Sequence, residues 1–334
     1  RLAQLGLEVL YLEKGEMISS KNTSFPEDQF QHFEDLKEFE EKLLKNFGRV
    51  SESLILSEKN KKSKFLPLLG EGVGGSSNLY GAAMERFFPI DFNSASSFSP
   101  INNSSMVDWP IDYSHLEKYY KEAEEVYKVY GGKDPLREKF QNSDLPDRPL
   151  TKIGKRLSDH WEKQGLHPYK LPVAHTPHNE SNCPGCQATI CPTNDKATSY
   201  NSCILPSLLK YKAQILTNCE VNRLIEVDEK IEFVEIIYQD KKIKLKAKII
   251  ILAAGALNTP KILFKSKNEA WKNGLGNNSN QLGKNLSRHF LDLYMVKIEN
   301  KLKEKFIEKE IAMNDFYVFE GEKLGTIQSL GNPP

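Results

Sequence analysis

The stretch that decides the fold is Val9-Leu10-Tyr11-Leu12-Glu13-Lys14-Gly15, a short apolar strand that ends in an acidic residue. In a βαβ unit that binds a dinucleotide, the acidic residue at the end of the second strand accepts hydrogen bonds from ribose hydroxyls. A carboxylate suits this role because its two oxygens can accept from two neighbouring hydroxyls. Glu13 is therefore a candidate nucleotide-binding residue. An ordinary surface glutamate after a strand would give the same local pattern.

A glycine-rich segment follows, Gly70-Glu71-Gly72-Val73-Gly74-Gly75-Ser76-Ser77. Consecutive glycines let backbone N–H groups come close to an anion, and the adjacent hydroxyls add donors. A pyrophosphate or the edge of a flavin ring fits such a surface, and a flexible loop is the alternative. Tyr80, Gly81 and Arg86 come next and make the segment less generic.

A third motif begins with the apolar run Ile249-Ile250-Ile251-Leu252, which is typical of a strand buried on both faces. The small residues Ala253-Ala254-Gly255-Ala256 follow it, and Thr259-Pro260 indicates a helix. Small residues at the end of a strand allow close approach of a ligand, or tight packing of the helix on the strand.

The rest of the chain mixes helices with strands. Apolar and aromatic residues recur at helical spacing over 112–130, and Ser114 and Glu117 have the spacing of a capping box. The segments 231–238 and 243–248 alternate around a polar turn and predict a hairpin. Such a mixture predicts an α/β or α+β fold around a partly parallel sheet.

Length and composition limit the class of protein and the partners to be expected. The chain has 334 residues, 39% of them hydrophobic, with 46 basic and 45 acidic side chains. This balance gives no reason to expect a nucleic-acid or anionic-membrane partner. No apolar run approaches the roughly 20 residues of a transmembrane segment. The chain opens at Arg1 without an initiator Met and closes at Pro334, and we expect it to be a fragment that lacks both termini.

Three of the five cysteines, Cys183, Cys186 and Cys191, lie close together in sequence. Thiolates at these spacings can converge on one metal ion or iron–sulfur cluster. A zinc site would add His175 or His178 as a fourth ligand. Reduced thiols, or one disulfide, in an ordered loop are the alternative. The remaining cysteines, Cys203 and Cys219, are predicted to be buried as small hydrophobic residues.

Taken in order, these motifs resemble the glucose–methanol–choline (GMC) oxidoreductases, which are FAD enzymes that act on alcohols. The segments that carry the resemblance are Glu13-Lys14-Gly15, Gly74-Gly75-Ser76-Ser77 with Arg86, Asp108-Trp109-Pro110 followed by Tyr119-Tyr120 and Glu124, Cys191-Pro192 with Lys196-Ala197-Thr198, Ala254-Gly255-Ala256, and Leu282-Gly283-Lys284-Asn285-Leu286. The segment Tyr80-Gly81-Ala82 is similar to the sugar and sugar-acid dehydrogenase branch.

The resemblance implies that FAD is the cofactor and that one set of residues binds it. It places Glu13 at the ribose, the Gly74–Ser77 segment at the pyrophosphate and ring, the backbone of Val221 at the adenine, and Gly255 beneath the cofactor. The whole set is Glu13, Gly74, Gly75, Ser76, Ser77, Tyr80, Gly81, Val221, Ala254 and Gly255.

The resemblance also bears on the chemistry. The family's catalytic histidine is expected in a C-terminal part outside this chain, so no catalytic residue is predicted here and the chain alone is expected to be inactive. Some relatives carry a three-iron cluster in a cysteine-rich loop, which keeps an iron–sulfur cluster among the alternatives for Cys183, Cys186 and Cys191.

The reaction implied is the oxidation of a CH–OH group in an alcohol, sugar or polyol, with hydride transfer to flavin N5. The resemblance implies a partner protein or a quinone as the electron acceptor. Two alternatives stay open: a lyase on the same scaffold, and a flavoprotein subunit that relays electrons through an iron–sulfur cluster. The sequence does not distinguish a cytoplasmic from a periplasmic protein.

The resemblance further predicts a Rossmann-like FAD-binding domain with the start of an antiparallel-sheet substrate domain. The FAD-binding domain is expected to be discontinuous, over 1–20, 68–95 and 190–288. Segments 20–67 and 96–189 are expected to be cap-like insertions, with the cysteine-rich loop at 183–191. Residues 289–334 are expected to begin the truncated substrate-binding domain.

Overall fold

The computed structural model of the chain describes residues 1–18, 48–49, 54–58, 61–65, 67, 69–99, 102, 104–137, 139–141, 144–177, 179–180, 190–287, 289, 291–294 and 308–330. The chain divides into two compact units. The first unit comprises Arg1–Met17 and Tyr211–Glu299, and the second comprises Ile18–Lys210 and Asn300–Pro334.

The strands and helices alternate along much of the chain. The strands are β1 (Leu10–Leu12), β2 (Leu54–Glu58), β3 (Lys61–Phe65), β4 (Tyr169–Lys170), β5 (Gln214–Leu216), β6 (Cys219–Val227), β7 (Lys230–Tyr238), β8 (Lys241–Leu245), β9 (Ile311–Met313), β10 (Val318–Phe319), β11 (Glu322–Lys323) and β12 (Ile327–Gln328). The α-helices are α1 (Pro89–Phe92), α2 (Ser94–Ser97), α3 (Tyr113–Tyr127), α4 (Lys152–Lys163), α5 (Leu205–Tyr211) and α6 (Gly255–Lys265).

The first unit contains a parallel strand pair and an antiparallel sheet. Strand β1 pairs with β5 in parallel, and strands β6, β7 and β8 form a three-stranded antiparallel sheet. Helix α6 packs on β6, and the backbone N–H of Leu224 donates to Ser266 Oγ at 2.8 Å. The buried core of this unit consists of Cys219, Leu224, Val234, Ile236, Ile262 and Leu275. The predicted mixture of helices and strands is confirmed, but the parallel strands form a two-stranded pair of their own and the other described sheets are antiparallel.

The predicted hairpin is present as β7 and β8, and its turn is shorter than the polar sequence suggested. Gln239 and Asp240 occupy the turn with φ values of 49° and 60°. Two consecutive left-handed residues define the tight turn that matches the twist of a hairpin. The second strand therefore begins at Lys241.

The predicted strand at 249–252 is wrong for this structure. These residues form no strand, and Ile249 and Ile251 are 69% and 65% exposed. Ile250 and Leu252 pack against the core of the first unit. Alternate residues therefore face the core and the solvent. An unbroken apolar run does not by itself reveal whether one or both faces are covered.

The second unit is built around a three-stranded antiparallel sheet in which β9 lies between β4 and β12. Tyr169, Leu171, Val173 and Ala312 form one buried cluster at this sheet. A second buried cluster joins Ala82, Val129 and Ala174. The hairpins β2–β3 and β10–β11 complete the strand pairings of this unit among the described residues.

Helix α3 has its N-cap two residues before the position that the expected capping box gives it. Its N-cap is Asp112, which accepts a hydrogen bond from the Ser114 backbone N–H at 2.9 Å. His115, rather than Glu117, lies close to the backbone N–H of the cap residue. Aspartate is at least as good an N-cap as serine, so the earlier residue takes the position.

The division into units bears on the predicted domains. Residues 1–17 group with 211–299, which joins the first and third predicted FAD-binding segments across the intervening chain. The predicted middle segment, 68–95, falls in the second unit. The assignment of all three segments to one FAD-binding domain stays a prediction. No helix within the described residues is long and apolar enough to cross a membrane.

Candidate cofactor site

Glu13 lies at the carboxyl end of the parallel strand pair in the first unit. Its backbone N–H donates to the Leu216 carbonyl at 2.9 Å, and its carbonyl accepts from the Cys219 N–H at 2.9 Å. One carboxylate oxygen, Oε1, accepts from the Gly15 N–H at 2.8 Å. The side chain is partly exposed. The Gly15 contact orients the carboxylate and leaves Oε2 for a ligand hydroxyl.

Val221 lies near the start of β6. It is two residues beyond Cys219, the first residue of that strand, whose N–H donates to the Glu13 carbonyl. Val221 pairs with Ile236 of β7, and the register then shifts before Arg223. Such a bulge removes a residue from the ladder and re-aims the backbone. Glu13 is therefore hydrogen-bonded to the start of the strand that contains Val221.

Ala254 and Gly255 form the start of helix α6. Ala254 is the N-cap residue, and no side chain caps the first turn. Gly255 has a φ of +80°, and a Cβ placed on it would meet no described residue within 4 Å. The first backbone N–H groups of a helix carry partial positive charge and attract anions. The open, uncapped start of α6 can thus accept a phosphate group.

The glycine turn, residues 70–78 of the second unit, contains the predicted pyrophosphate segment. Gly74 and Gly75 have φ values of +98° and +52°. A Cβ on Gly74 would lie 2.7 Å from Asn78 Nδ2 and 3.1 Å from Tyr200 Cβ. The conformation and the space both require glycine at position 74. Ser76 faces solvent, and its Oγ accepts from the Gly70 N–H at 3.0 Å.

Tyr80 and Gly81 follow the turn on a segment that is tied to residues 196–197. The Tyr80 hydroxyl donates to the Ala197 carbonyl at 2.5 Å, and Lys196 Nζ donates to the Tyr80 carbonyl at 3.2 Å. Burial raises the pKa of Tyr80 well above its usual range. The phenol is therefore a neutral donor to the protein backbone, which sequence reasoning did not anticipate. Gly81 precedes Ala82, a buried residue in the left-handed region at φ 57°.

The cysteine cluster is described only in part. Cys183, Cys186 and His178 lie outside the described residues. Cys191 is buried, and its sulfur lies 3.4 Å from Thr193 Oγ1. Among the residues that the structure describes, no three His, Cys, Asp or Glu side chains are grouped as metal ligands. Cys219 is buried as expected, whereas the prediction for Cys203 is wrong, because it lies on the exposed side of its helical turn.

His175 lies in a buried, charged environment. It is 6% exposed, and neither ring nitrogen has a hydrogen-bond partner among the residues that the structure describes. Burial lowers its pKa, and the nearby Arg148 guanidinium acts in the same direction, against the opposing effects of Glu308 and Cys191. Arg148 is fully buried and pairs with Glu308. The zinc alternative at His175 stays a prediction, because Cys183 and Cys186 lie outside the described residues.

The protonation of His175 should make the stability of the protein depend on pH. Its folded pKa is lowered from the ordinary 6.5, so the unfolded chain binds the proton more readily. We expect the free energy of unfolding to fall as the pH drops below about 6.5, and His175→Gln to reduce that slope. Urea unfolding between pH 5 and pH 7.5 measures it. His115→Gln, at an exposed site, is the control, and equal slopes in both variants would contradict this assignment.

The first unit combines a parallel strand pair that ends in a carboxylate with a helix that starts at an uncapped glycine. This combination is typical of the class of α/β nucleotide-binding proteins. The family model of the GMC oxidoreductases matches residues 8–291. The chain therefore belongs to the GMC oxidoreductase family, a family of FAD-binding enzymes, as the sequence motifs predicted.

Curated relatives are distant and longer than this chain. The chain is 24% identical over 308 residues to 2-methyl-1,2-propanediol dehydrogenase of Mycolicibacterium austroafricanum, covering 87% of this chain and 52% of that protein. It is 26% identical over 238 residues to the fructose dehydrogenase large subunit of Gluconobacter japonicus, covering 66% and 41%. The chain spans about half the length of the curated relatives it matches. A fungal aryl-alcohol oxidase structure aligns with a TM-score of 0.47 at 16% identity, over 79% of this chain and 44% of the other.

The described residues fit FAD in the chemistry of their donors and acceptors. The Glu13 carboxylate is oriented by Gly15 and can accept from ribose hydroxyls. The start of α6 presents N–H groups with open space in front of Gly255. These groups match the ribose and phosphate parts of a dinucleotide.

Proposed function

We propose that the full-length protein is an FAD-dependent oxidoreductase that oxidises a CH–OH group of an alcohol, sugar or polyol. Family membership over residues 8–291 supports the cofactor and the reaction class. The relatives' names specify a diol, a sugar and a sugar acid as the compounds on which those proteins act. A protein of this kind passes its electrons to a partner protein, a quinone or another acceptor.

The observation that carries the proposal is the carboxylate of Glu13 at the end of the parallel strand pair. Strand β1 places it, and the Gly15 N–H holds one oxygen at 2.8 Å. A fixed carboxylate at this position of an α/β sheet is suited to the two ribose hydroxyls of a dinucleotide. We assign Glu13 and Val221 to the adenosine end of FAD on this basis.

The other predicted residues divide between phosphate and ring. We assign Ala254 and Gly255 to the underside of the cofactor near its phosphates, where the uncapped helix start favours negative charge. Gly74, Gly75, Ser76 and Ser77 are assigned to the pyrophosphate and ring edge through their backbone. Tyr80 and Gly81 stay in the set through their position directly after the glycine turn. When bound, FAD accepts the hydride from the carbinol carbon, and the protein orients it.

Replacing Glu13 by alanine should weaken FAD binding to the full-length protein by about 1–3 kcal/mol, because ribose hydroxyls lose their acceptor. Fluorescence titration of apoprotein with FAD measures the change. Glu16→Ala removes an exposed carboxylate three residues on and is the matched control. Equal affinities for the two variants would remove Glu13 from the site.

The proposed activity has its own test. Full-length protein should be yellow as purified, and anaerobic addition of an alcohol or sugar substrate should bleach the flavin band. A colourless protein that takes up no added FAD would refute the cofactor. Bound FAD that no alcohol, sugar or polyol reduces, together with turnover of a cyanohydrin, would favour the lyase alternative.

An electron-relaying flavoprotein subunit is a second candidate. Two relatives carry names of this kind, the fructose dehydrogenase large subunit and the gluconate 2-dehydrogenase flavoprotein of Pantoea cypripedii. We propose that any iron–sulfur cluster would be held by Cys183, Cys186 and Cys191. Iron and sulfide analysis of anaerobically purified protein, with electron paramagnetic resonance, tests it. Absence of both iron and zinc would leave the three residues as structural thiols.

A further inference from the structure

We propose that Ser199 is a positioning residue for FAD, acting through Ser77 and Gly74 of the glycine turn. The inference rests on the proposed function, since it assumes that the glycine turn binds the cofactor. Ser199 was not among the predicted site residues. It lies 122 positions from Ser77 in sequence, and the fold brings the two hydroxyls together.

The contact consists of four hydrogen bonds. The Ser77 hydroxyl donates to the Gly74 carbonyl at 2.5 Å, and the Ser199 hydroxyl donates to the same carbonyl at 3.0 Å. The Ser199 backbone N–H donates to Ser77 Oγ at 2.9 Å. The two hydroxyl oxygens are themselves 2.9 Å apart. Both serines are partly buried, so water competes weakly for these groups.

A count of the protons assigns the direction of each bond. Each hydroxyl has one proton, and Ser77 uses its proton on the Gly74 carbonyl. The proton between the two hydroxyl oxygens must therefore come from Ser199, which shares it with the Gly74 carbonyl. Without the Ser199 hydroxyl, the Gly74 carbonyl loses one of its two hydroxyl donors. The oxygen of Ser77 then accepts a hydrogen bond only from the Ser199 backbone N–H.

Ser199 is itself held in place by its neighbours. The Thr198 backbone N–H donates to Asn201 Oδ1 at 2.6 Å, and the Asn201 N–H donates back to Thr198 Oγ1 at 3.1 Å. Asn201 Nδ2 donates to the Lys196 carbonyl at 2.9 Å. This closed set of bonds makes the segment around Ser199 a rigid support for the turn.

A support is needed because glycine-rich backbone loses more conformational freedom on ordering than any other. Gly74 and Gly75 both lie in the left-handed region, and a Cβ on Gly74 would lie 3.1 Å from Tyr200 Cβ. A turn fixed before the cofactor arrives loses less entropy on binding, which raises affinity. Ser199 thus acts on FAD affinity through the shape of the turn.

The test compares variants of the full-length protein. Ser199→Ala should raise the dissociation constant for FAD by about 3- to 10-fold, the effect of one lost hydrogen bond. It should also shift the visible absorption bands of the bound flavin, because the proposed function assigns the turn to the edge of the flavin ring. Ser199→Thr, which keeps a hydroxyl, should restore both properties. Ser94→Ala is the control and should change neither property, because the Ser94 hydroxyl donates to the carbonyls of Ile90 and Asp91 in the preceding helix α1.

A double-mutant cycle separates positioning from general stability. The combined Ser77→Ala and Ser199→Ala variant should bind FAD no more weakly than Ser77→Ala alone, because both act through one contact. Additive losses of FAD affinity in the double variant would overturn the inference, and so would an unchanged affinity and spectrum in Ser199→Ala. In either case, FAD binding by the wild type would still support the proposed function. A wild type that binds no FAD would instead refute the proposed function. Should Ser199→Ala fail to fold, Ser77→Ala must show the same loss and spectral shift, and normal binding there would refute positioning.

Discussion

Replacing Glu124 by glutamine should lower the free energy of unfolding by about 3–5 kcal/mol, the usual effect of leaving one member of a buried ion pair without its partner. Arg86 and Glu124 are 8% and 6% exposed. The guanidinium donates twice to the carboxylate, from Nε and Nη2, each at 2.6 Å. It also donates to the Tyr113 hydroxyl at 3.0 Å. A neutral amide cannot accept both bonds, so the buried positive charge is left without compensation.

Urea unfolding of the variants, followed by circular dichroism, measures the difference. Glu125→Gln removes a carboxylate from the exposed face of the same helix and should change stability by no more than about 0.5 kcal/mol. Replacing Arg86 and Glu124 together by methionine should be less harmful than Glu124→Gln, because no unpaired charge is buried. If Glu124→Gln and Glu125→Gln unfold at the same urea concentration, the pair does not contribute in this way.

Replacing Gly70 by alanine should cost about 3 kcal/mol and abolish tight FAD binding, because the new methyl group would overlap backbone atoms. Its Cβ would lie 2.5 Å from the Gly75 carbonyl oxygen and 2.7 Å from the Ser76 nitrogen. Neither atom can move without opening the glycine turn. The expected result is a protein that folds less stably and that releases FAD on dilution.

Gly75→Ala is the matched variant for this prediction. Gly75 has a left-handed φ of +52°, but a Cβ there would meet nothing within 4 Å. Only the conformational cost, about 1–2 kcal/mol, should appear. Thermal unfolding and FAD titration of both variants compare the cost of steric overlap at Gly70 with the cost of the left-handed backbone conformation at Gly75. A larger loss at Gly75 than at Gly70 would mean that the turn is not packed as described.

The elements that the sequence predicted well are those set by local chemistry. The strand that ends at Glu13 and the hairpin around Gln239 and Asp240 both depend on residues close in sequence. Turn residues and alternation carry the information for such elements. The family could also be identified, because its motifs keep their order along the chain, and the match over residues 8–291 confirms it.

The errors came from partners that are distant in sequence. The apolar run at 249–252 gave no sign of which face would be covered, and Ile249 and Ile251 turned out exposed. Arg86 and Glu124 both belong to segments of the family resemblance, yet no local pattern shows that they pair with each other across 38 residues. Motif residues can therefore be structural even when their neighbours are assigned to the cofactor.

The assignment of individual FAD-binding residues stays a prediction, and the structure adds a distinction within it. Ser77 and Tyr80 were both predicted to bind the cofactor, but their hydroxyls donate to the carbonyls of Gly74 and Ala197. A side chain's type and position do not reveal whether its proton is used within the protein. Ser199 had no signal of its own, since a serine after a threonine is common in any polar turn.

The contact between Ser77 and Ser199 sets an order of events during synthesis. The glycine turn leaves the ribosome long before the segment that supports it, since the two hydroxyls are 122 positions apart. At about 5–20 residues per second, the ribosome needs roughly 6–24 s to make the intervening chain. Closing so long a loop is entropically costly and depends on the elements between. The nascent turn therefore remains without its support for seconds, and its final shape belongs to a late stage of folding.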